Sequence, residues 1–169
     1  NMKKKKILWT TDIHLNFLTN KNLEFFIKKI QNKSPDLLLI GGDIGEAQSV
    51  CSYLQKIEQS IECPIYFVLG NHDYYRGSLS KVNEDVRRLS DSSKKIFFLD
   101  TIPFVELTKE VALVGHSGWA DGKFGDYNNS KVMLNDYILI NEFIGLNKSQ
   151  RLKKLNELGA EAARKIKDD

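Results

Sequence analysis

The chain has 169 residues, of which 41% are hydrophobic and 28% are charged, and its formal net charge is +3. A chain of this length and composition can build a sizeable core, so we expect one globular domain over residues 1–169. The charge balance excludes a disordered polyelectrolyte, and no apolar run reaches the roughly 18 residues of a membrane-spanning helix.

The basic residues occur in short groups with acidic residues between them, and the largest group is Lys3-Lys4-Lys5-Lys6. No aromatic side chains alternate with these groups in the way that a stacking surface for nucleic acid requires. The apolar stretch that follows Lys6 is too short for the core of a signal peptide. We therefore expect neither a nucleic-acid nor a membrane partner, and a cytoplasmic protein.

Four continuous apolar runs of strand length dominate the first part of the chain, at residues 7–9, 37–40, 65–69 and 96–99. Such runs are typical of strands that are covered on both faces. In each of the three intervals between them, apolar residues recur at spacings of three and four, which predicts a helix. The alternation predicts an α/β fold with a largely parallel sheet and right-handed crossovers.

The rest of the chain has a weaker pattern. Residues 104–107 and 111–114 predict a β-hairpin, 120–130 predict a polar loop, and 132–143 predict a helix. Ser149 is the predicted cap of a last helix, along which apolar residues again recur at three and four. No strand follows this helix, and we interpret the domain as truncated at its C-terminus.

Each of the first three predicted strands is followed by a polar cluster. The clusters are Asp12-Ile13-His14, Gly41-Gly42-Asp43 and Gly70-Asn71-His72-Asp73. In an open α/β sheet, ligands bind at the carboxyl ends of the strands, where these clusters would meet. Carboxylate, amide and imidazole ligands together favour Mn, Fe or Zn over Ca. We therefore predict a metal site at this edge of the sheet.

The ordered blocks Asp-x-His, Gly-Asp and Gly-Asn-His-Asp resemble the calcineurin-like metallophosphoesterase family, with the likeness running from about Lys5 to Trp119. The resemblance implies the metallophosphoesterase-type αββα sandwich, present only in part. It also implies hydrolysis of phosphomonoesters or phosphodiesters with two divalent metal ions. By the same resemblance, Asp12, His14 and Asp43 would hold the first ion, and Asp43 and Asn71 the second.

The resemblance also implies roles for the residues that follow Asn71. His72 would stabilise or protonate the leaving group, and Asp73 would orient His72. Arg76 is a candidate for pairing with the phosphate oxygens of a substrate, beside the alternative that it belongs to a solvated turn.

The chain departs from the family pattern in its histidines. The family adds later histidines, one after a further strand and a pair in a Gly-His-x-His segment, whereas no histidine follows His116 here. We therefore expect the second metal site to be weak and this chain alone to be inactive or feebly active. An apolar surface exposed by the truncation would favour a homo-oligomer. His116 is a candidate substitute ligand, beside the alternative of a structural histidine.

Two other functional classes compete with the phosphoesterase. One is a non-catalytic protein-interaction module built on the metallophosphoesterase fold. The other is a serine hydrolase, since Gly115-His116-Ser117-Gly118 comes close to a nucleophile elbow. That motif has Trp119 in place of its last glycine, and a serine hydrolase would also need a later histidine, which this sequence lacks.

Overall fold

A four-stranded parallel sheet forms the centre of the computed structural model, which describes residues 4–168. The strands follow one another across the sheet in the order β1-β2-β3-β4. This arrangement confirms the predicted α/β class and parallel sheet. The strand bounds are Ile7–Thr10 for β1, Leu37–Gly41 for β2, Ile65–Val68 for β3 and Ile96–Phe98 for β4.

A helix connects each strand to the next, as the periodicity predicts. The helices are α1 (Asn20–Lys33), α2 (Val50–Ser60) and α3 (Leu79–Ser92). Helices α1 and α3 begin at hydroxyl caps, because the side chains of Thr19 and Ser78 accept hydrogen bonds from backbone N–H groups of the first turn. Each helix buries one apolar stripe, so the three together form a layer over the sheet.

The core lies between this helical layer and one face of the sheet. Leu38, Ile65 and Ile96 occupy paired positions on β2, β3 and β4, and each side chain is fully buried. Two positions further along, the rings of Phe67 and Phe98 stack with their centroids 5.1 Å apart. Alternate residues of each strand thus face the core, as the period of two requires.

The opposite face of the sheet is more open. Trp9 pairs with Leu39, Leu39 with Tyr66 and Tyr66 with Phe97, which gives a continuous row of apolar side chains across the sheet, called the open row below. Trp9 is 71% exposed and its three neighbours are half-buried. The expectation that β1 is covered on both faces is therefore wrong, because no described residue packs over Trp9 closely enough to bury it. Self-association through this face stays a prediction.

The second half of the chain contains less regular structure. Strands β5 (Val105–Glu106) and β6 (Ala112–Leu113) pair antiparallel, which confirms the predicted hairpin in a shorter form. Helix α5 spans Lys148–Asp168, close to the predicted last helix. Its first turn is closed by Asn147 rather than Ser149, because Asn147 and Gln150 exchange side chain–backbone hydrogen bonds of 3.0 and 2.9 Å.

The predicted helix over 132–143 is mostly wrong. Only α4 (Asp136–Leu139) is helical within it. Val132 and Met133 are more than half exposed, so an apolar stripe here has no surface to bury against. Ile140 leaves the helical conformation and forms a parallel bridge with Gly77, which ends α4 after one turn.

No helix of the described range is long and apolar enough to span a bilayer, and a cytoplasmic location stays a prediction.

Candidate metal centre

The loops after β1 and β2 are joined by backbone hydrogen bonds at the carboxyl edge of the sheet. The N–H of Asp12 donates to Gly42 at 3.1 Å, and that of His14 donates to Asp43 at 2.8 Å. Asp12, His14 and Asp43 all have positive φ, at 52°, 41° and 51°. Non-glycine residues rarely adopt this conformation, and where they do the strain often marks a functional site. Three predicted metal ligands thus lie in strained turns that are hydrogen-bonded to each other.

His14, Asp43 and His72 form a compact group of candidate ligands. One ligand atom from each lies within 4.8 Å of the others. His14 Nε2 is 3.7 Å from Asp43 Oδ2, which is too long for a hydrogen bond but close to the roughly 3–3.5 Å that separates two ligands of one ion at usual bond lengths. His14 Nδ1 is buried without a hydrogen-bond partner in the described structure. Imidazole nitrogens and a carboxylate oxygen at this spacing fit a divalent cation.

Asp12 lies apart from this group. Its carboxylate accepts a hydrogen bond of 2.6 Å from the hydroxyl of Thr11, and the residue is exposed. Its backbone, however, is held beside Gly42, next to Asp43. Asp12 as a ligand therefore stays a prediction.

Asp43 is held in place by the loop that follows β3. Its Oδ1 accepts a hydrogen bond of 3.1 Å from the backbone N–H of His72, and only 8% of the residue is exposed. Gly70 packs directly against the same carboxylate, since a Cβ at this position would lie 2.0 Å from Asp43 Oδ1. The glycine of the Gly-Asn-His-Asp block is thus required so that Asp43 can approach the backbone.

Replacing Gly70 with alanine should displace the Asp43 carboxylate and weaken cation binding. We expect Gly70→Ala to lower the free energy of unfolding by about 2–4 kcal/mol, because backbone or a buried carboxylate must move to admit the methyl group. Urea unfolding and Mn²⁺ titration measure the two effects. Gly125→Ala is a suitable control, because Gly125 has a positive φ but open space around it, and it should cost only about 1 kcal/mol. Equal losses for both variants would contradict the packing argument.

Asp73 has partners other than the one predicted for it. Its carboxylate is fully buried and accepts hydrogen bonds from the N–H groups of Ile44, Gly45 and Gly70 at 2.8, 2.8 and 2.9 Å. Burial raises the pKa of Asp73 to about 6, although these hydrogen bonds act in the opposite direction. None of the described hydrogen bonds joins Asp73 to the His72 ring. Asp73 therefore ties two ligand loops together, and the expected orienting contact with His72 is not what the structure has.

Asn71 has a partner that sequence reasoning missed. Its Nδ2 donates to Asp136 Oδ1 at 2.7 Å and lies 3.1 Å from the hydroxyl of Tyr75. Asp136 is 65 positions away in the chain and only 8% exposed. A single aspartate in an irregular segment carries no sequence signal of this contact.

Arg76 forms an ion pair with Glu46, and its backbone has a φ of 61°. This ion pair raises the pKa of the guanidinium of Arg76. The arginine is thus engaged by a carboxylate, and its contact with substrate phosphate stays a prediction.

His116 belongs to a separate polar cluster. Its Nδ1 accepts a hydrogen bond of 2.8 Å from the N–H of Gly118, and its Nε2 is 3.6 Å from Asp100 Oδ2. The hydroxyl of Ser117 donates to Asp100 and accepts from the N–H of Leu69, both at 2.9 Å. Burial raises the pKa of Asp100, and the neighbouring His116 opposes that rise. His116 lies outside the group of His14, Asp43 and His72, and its Nδ1 is occupied by a backbone hydrogen bond. Both observations favour the structural alternative over ligation in that group.

The sequence profile of the calcineurin-like phosphoesterase family matches residues 5–163. The chain belongs to the calcineurin-like phosphoesterase family. The loops that carry His14, Asp43 and Asn71 all lie within the matched range. Membership agrees with the divalent-cation chemistry to which the compact group of ligand atoms points.

Curated relatives in the family share part of their length with this chain. It is 30% identical over 110 residues to an uncharacterized metallophosphoesterase of Campylobacter jejuni, which covers 59% of this chain and 29% of the relative. It is 32% identical over 79 residues to one of Helicobacter pylori, covering 44% of this chain and 21% of that protein. A probable cyclic nucleotide phosphodiesterase of Pseudoalteromonas sp. is 32% identical over 83 residues, which are 40% of this chain and 31% of that protein. The matches thus span less than a third of these relatives.

The fold of this family member also has a solved counterpart. The phosphopantetheinyl hydrolase of Mycobacterium tuberculosis superposes with a TM-score of 0.68 over 96% of this chain and 63% of that one. Sequence identity is 16%, so the likeness concerns the fold alone. It confirms the metallophosphoesterase-like architecture.

Proposed function

We propose that this family member is a metal-dependent phosphoesterase that hydrolyses phosphomonoesters or phosphodiesters through a two-metal site that is incomplete in this chain. The observation that carries the proposal is the convergence of His14, Asp43 and His72 at the carboxyl edge of the sheet. Family membership supplies the reaction class. The proposed metals are Mn, Fe or Zn, as the mixture of imidazole and oxygen donors favours.

The chain's residues divide between the two proposed cation positions. His14 and Asp43, with Asp12, would hold the first ion, and Asp43 with Asn71 the second. Two divalent ions supply Lewis-acid stabilisation of the charge that develops on a phosphate ester during displacement. With only Asp43 and Asn71 as protein ligands, the second position is expected to be weak.

His72 is proposed to deliver a proton to the leaving group. Its ring lies 4.6 Å from that of His14 and 4.3 Å from that of Tyr75, measured between centroids, and the residue is partly exposed. It is therefore held at the edge of the ligand group yet accessible to a substrate. Histidine is the side chain that most often serves as a general acid near neutral pH.

The proposal is tested with p-nitrophenyl phosphate and bis(p-nitrophenyl) phosphate in the presence of Mn²⁺. Both ester types are included because the proposal covers phosphomonoesters and phosphodiesters, and one relative named above is a probable phosphodiesterase. We expect slow turnover of at least one ester that requires Mn²⁺ and stops when EDTA is added. Turnover that persists in EDTA, or a protein that neither binds Mn²⁺ nor hydrolyses either ester, would contradict the proposal.

Substitution of His72 separates proton delivery from metal binding. We expect His72→Asn to reduce kcat by about 10²–10⁴-fold, the usual contribution of general acid catalysis, while Mn²⁺ content stays nearly unchanged. Asparagine keeps the backbone N–H that binds Asp43. Activity and bound Mn²⁺ are measured on the same samples. Loss of Mn²⁺ in this variant would instead assign His72 to the ligand set.

A second candidate function is a non-catalytic protein-interaction module. The open row of Trp9, Leu39, Tyr66 and Phe97 favours it, because apolar patches of this kind often mark interaction surfaces. The esterase assay separates the two candidates. Mn²⁺-dependent turnover supports the enzyme, and absence of both turnover and Mn²⁺ binding supports the module.

A further inference from the structure

We infer that Asp136 is a positioning residue that fixes the side-chain amide of Asn71 for metal binding, together with the hydroxyl of Tyr75. This inference rests on the proposed function, because it assigns the amide oxygen of Asn71 to a cation. It adds to the site a residue that lies outside the motifs at the strand ends.

The hydrogen bonds among these three side chains leave one orientation for the amide. Asp136 Oδ1 accepts from the Tyr75 hydroxyl at 2.8 Å and from Asn71 Nδ2 at 2.7 Å. The hydroxyl has a single proton, which it gives to Asp136, so it acts as an acceptor toward Asn71 Nδ2 at 3.1 Å. Both protons of the Asn71 amide nitrogen are then used. The amide oxygen is consequently the atom left to bind a cation.

The reversed amide is disfavoured by electrostatics. It would direct the Asn71 carbonyl oxygen at the Asp136 carboxylate, which accepts hydrogen bonds and donates none when ionised. Asp136 and Tyr75 are only 8% and 5% exposed, so water offers little compensation for that repulsion. Hydrogen bonds to charged groups are the stronger class, and one of them favours its orientation by about tenfold or more.

Asp136 is held beside Asn71 by residues 136–142, called the α4 segment, which form hydrogen bonds with the chain that follows β3. The N–H of Arg76 donates to the carbonyl of Leu139 at 2.7 Å, and the N–H of Asn141 donates to that of Gly77 at 2.9 Å. The carboxylate of Glu142 accepts from the N–H of Leu79 at 2.9 Å, at the start of α3. These hydrogen bonds fix the α4 segment against the loop that follows β3.

The same loop also fixes Asp43, the other proposed ligand of the second ion. The N–H of His72, next in the chain to Asn71, donates to Asp43 Oδ1. The orientation of Asn71 is therefore set relative to Asp43 through a short, hydrogen-bonded stretch of backbone. Outer partners of this kind orient metal ligands, and their removal commonly lowers metal affinity by about 10–100-fold.

Mn²⁺ titration of the full chain tests the inference. We expect Asp136→Ala to weaken the Asn71-dependent Mn²⁺ affinity by about 10–100-fold, and Asp136→Asn, which keeps an acceptor oxygen, to recover part of the loss. Tyr75→Phe keeps the ring but removes the hydroxyl, and we expect a smaller decrease. In an Asn71→Ala background, Asp136→Ala should cause no further change, since the group that it orients is absent.

Glu142→Ala is the matched control for a merely structural role. It removes one contact of the α4 segment, while the backbone hydrogen bonds of the Arg76 and Asn141 N–H groups still hold Asp136 in place. It should therefore lower the melting temperature and leave Mn²⁺ affinity unchanged. Equal loss of affinity in Glu142→Ala and Asp136→Ala would overturn the inference. Additive losses from Asp136→Ala and Asn71→Ala would overturn it as well.

A measurement on metal-free protein separates this inference from the proposed function. In EDTA, the side-chain NH₂ signals of Asn71 in ¹⁵N-labelled protein should show two hydrogen-bonded protons that move on Asp136→Ala and stay in place on Glu142→Ala. If wild-type protein binds no Mn²⁺ but shows this NMR response, the proposed function fails and the orienting contact stands. If Asn71 does not respond to Asp136→Ala, the inference fails whatever the metal does.

Discussion

The variant Asp43→Asn is expected to lose Mn²⁺ binding at the proposed site of His14 and Asp43 while keeping its fold. The N–H of His72 donates to Asp43 Oδ1, so the amide oxygen of an asparagine must occupy that position. Its NH₂ group then takes the place of Oδ2 and faces His14 Nε2, 3.7 Å away in the wild type. An uncharged donor there cannot bind a cation. Asparagine tolerates the φ of 51° at this position, so the backbone is not strained further.

The loss of metal should also remove the activity. Lewis-acid stabilisation by bound metal is worth several kcal/mol, so we expect Mn²⁺-dependent turnover to fall by about 10³-fold. Calorimetric Mn²⁺ titration and the ester assays measure the two effects. Asp126→Asn makes the same chemical change at an exposed carboxylate outside the site and should alter neither. Wild-type Mn²⁺ affinity in Asp43→Asn would remove Asp43 from the ligand set.

The variant Asp73→Leu should cause a large loss of stability. It removes the acceptor of three backbone N–H groups, the buried ones of Ile44 and Gly45 and the partly buried one of Gly70. Each unsatisfied group costs about 1–3 kcal/mol of stability. Part of that loss is offset, because leucine has no carboxylate to desolvate, and it is this desolvation that raises the pKa of Asp73. We therefore expect the free energy of unfolding to fall by about 3–5 kcal/mol. Urea unfolding in EDTA measures it without contributions from metal.

Asp73→Asn offers a graded comparison. The amide oxygen can keep the two hydrogen bonds to Ile44 and Gly45, which share Oδ1, while the NH₂ group would face the N–H of Gly70. We expect an intermediate loss of stability. Asp85→Asn, at a partly exposed helical carboxylate paired with Lys81, should change stability by less than about 0.5 kcal/mol. An unchanged urea midpoint for Asp73→Leu would contradict the role assigned to this carboxylate.

Much of the parallel sheet was predictable because each strand run is apolar at nearly every position and each connecting helix has a clear period. The helix predicted over 132–143 failed since Val132 and Met133 are exposed and Ile140 is drawn into a bridge with Gly77. Periodicity shows that apolar side chains would lie on one face of a helix. Whether that face is buried depends on the tertiary packing, which periodicity does not show. For the same reason, the sequence could not indicate that β1 leaves Trp9 exposed at the edge of the sheet.

The sequence was sufficient to predict a candidate metal site, because short polar blocks after successive parallel strands meet at one edge of the sheet. It also determined the family, since the order of those blocks is specific. It could not indicate which acidic side chains support the proposed ligands, because that depends on contacts between distant parts of the chain. Asp73 binds backbone across two loops rather than His72, and Asp136 reaches Asn71 from 65 positions away. Buried polar groups must form hydrogen bonds, and their partners here come from parts of the chain that are distant in sequence. No local sequence pattern identifies such partners.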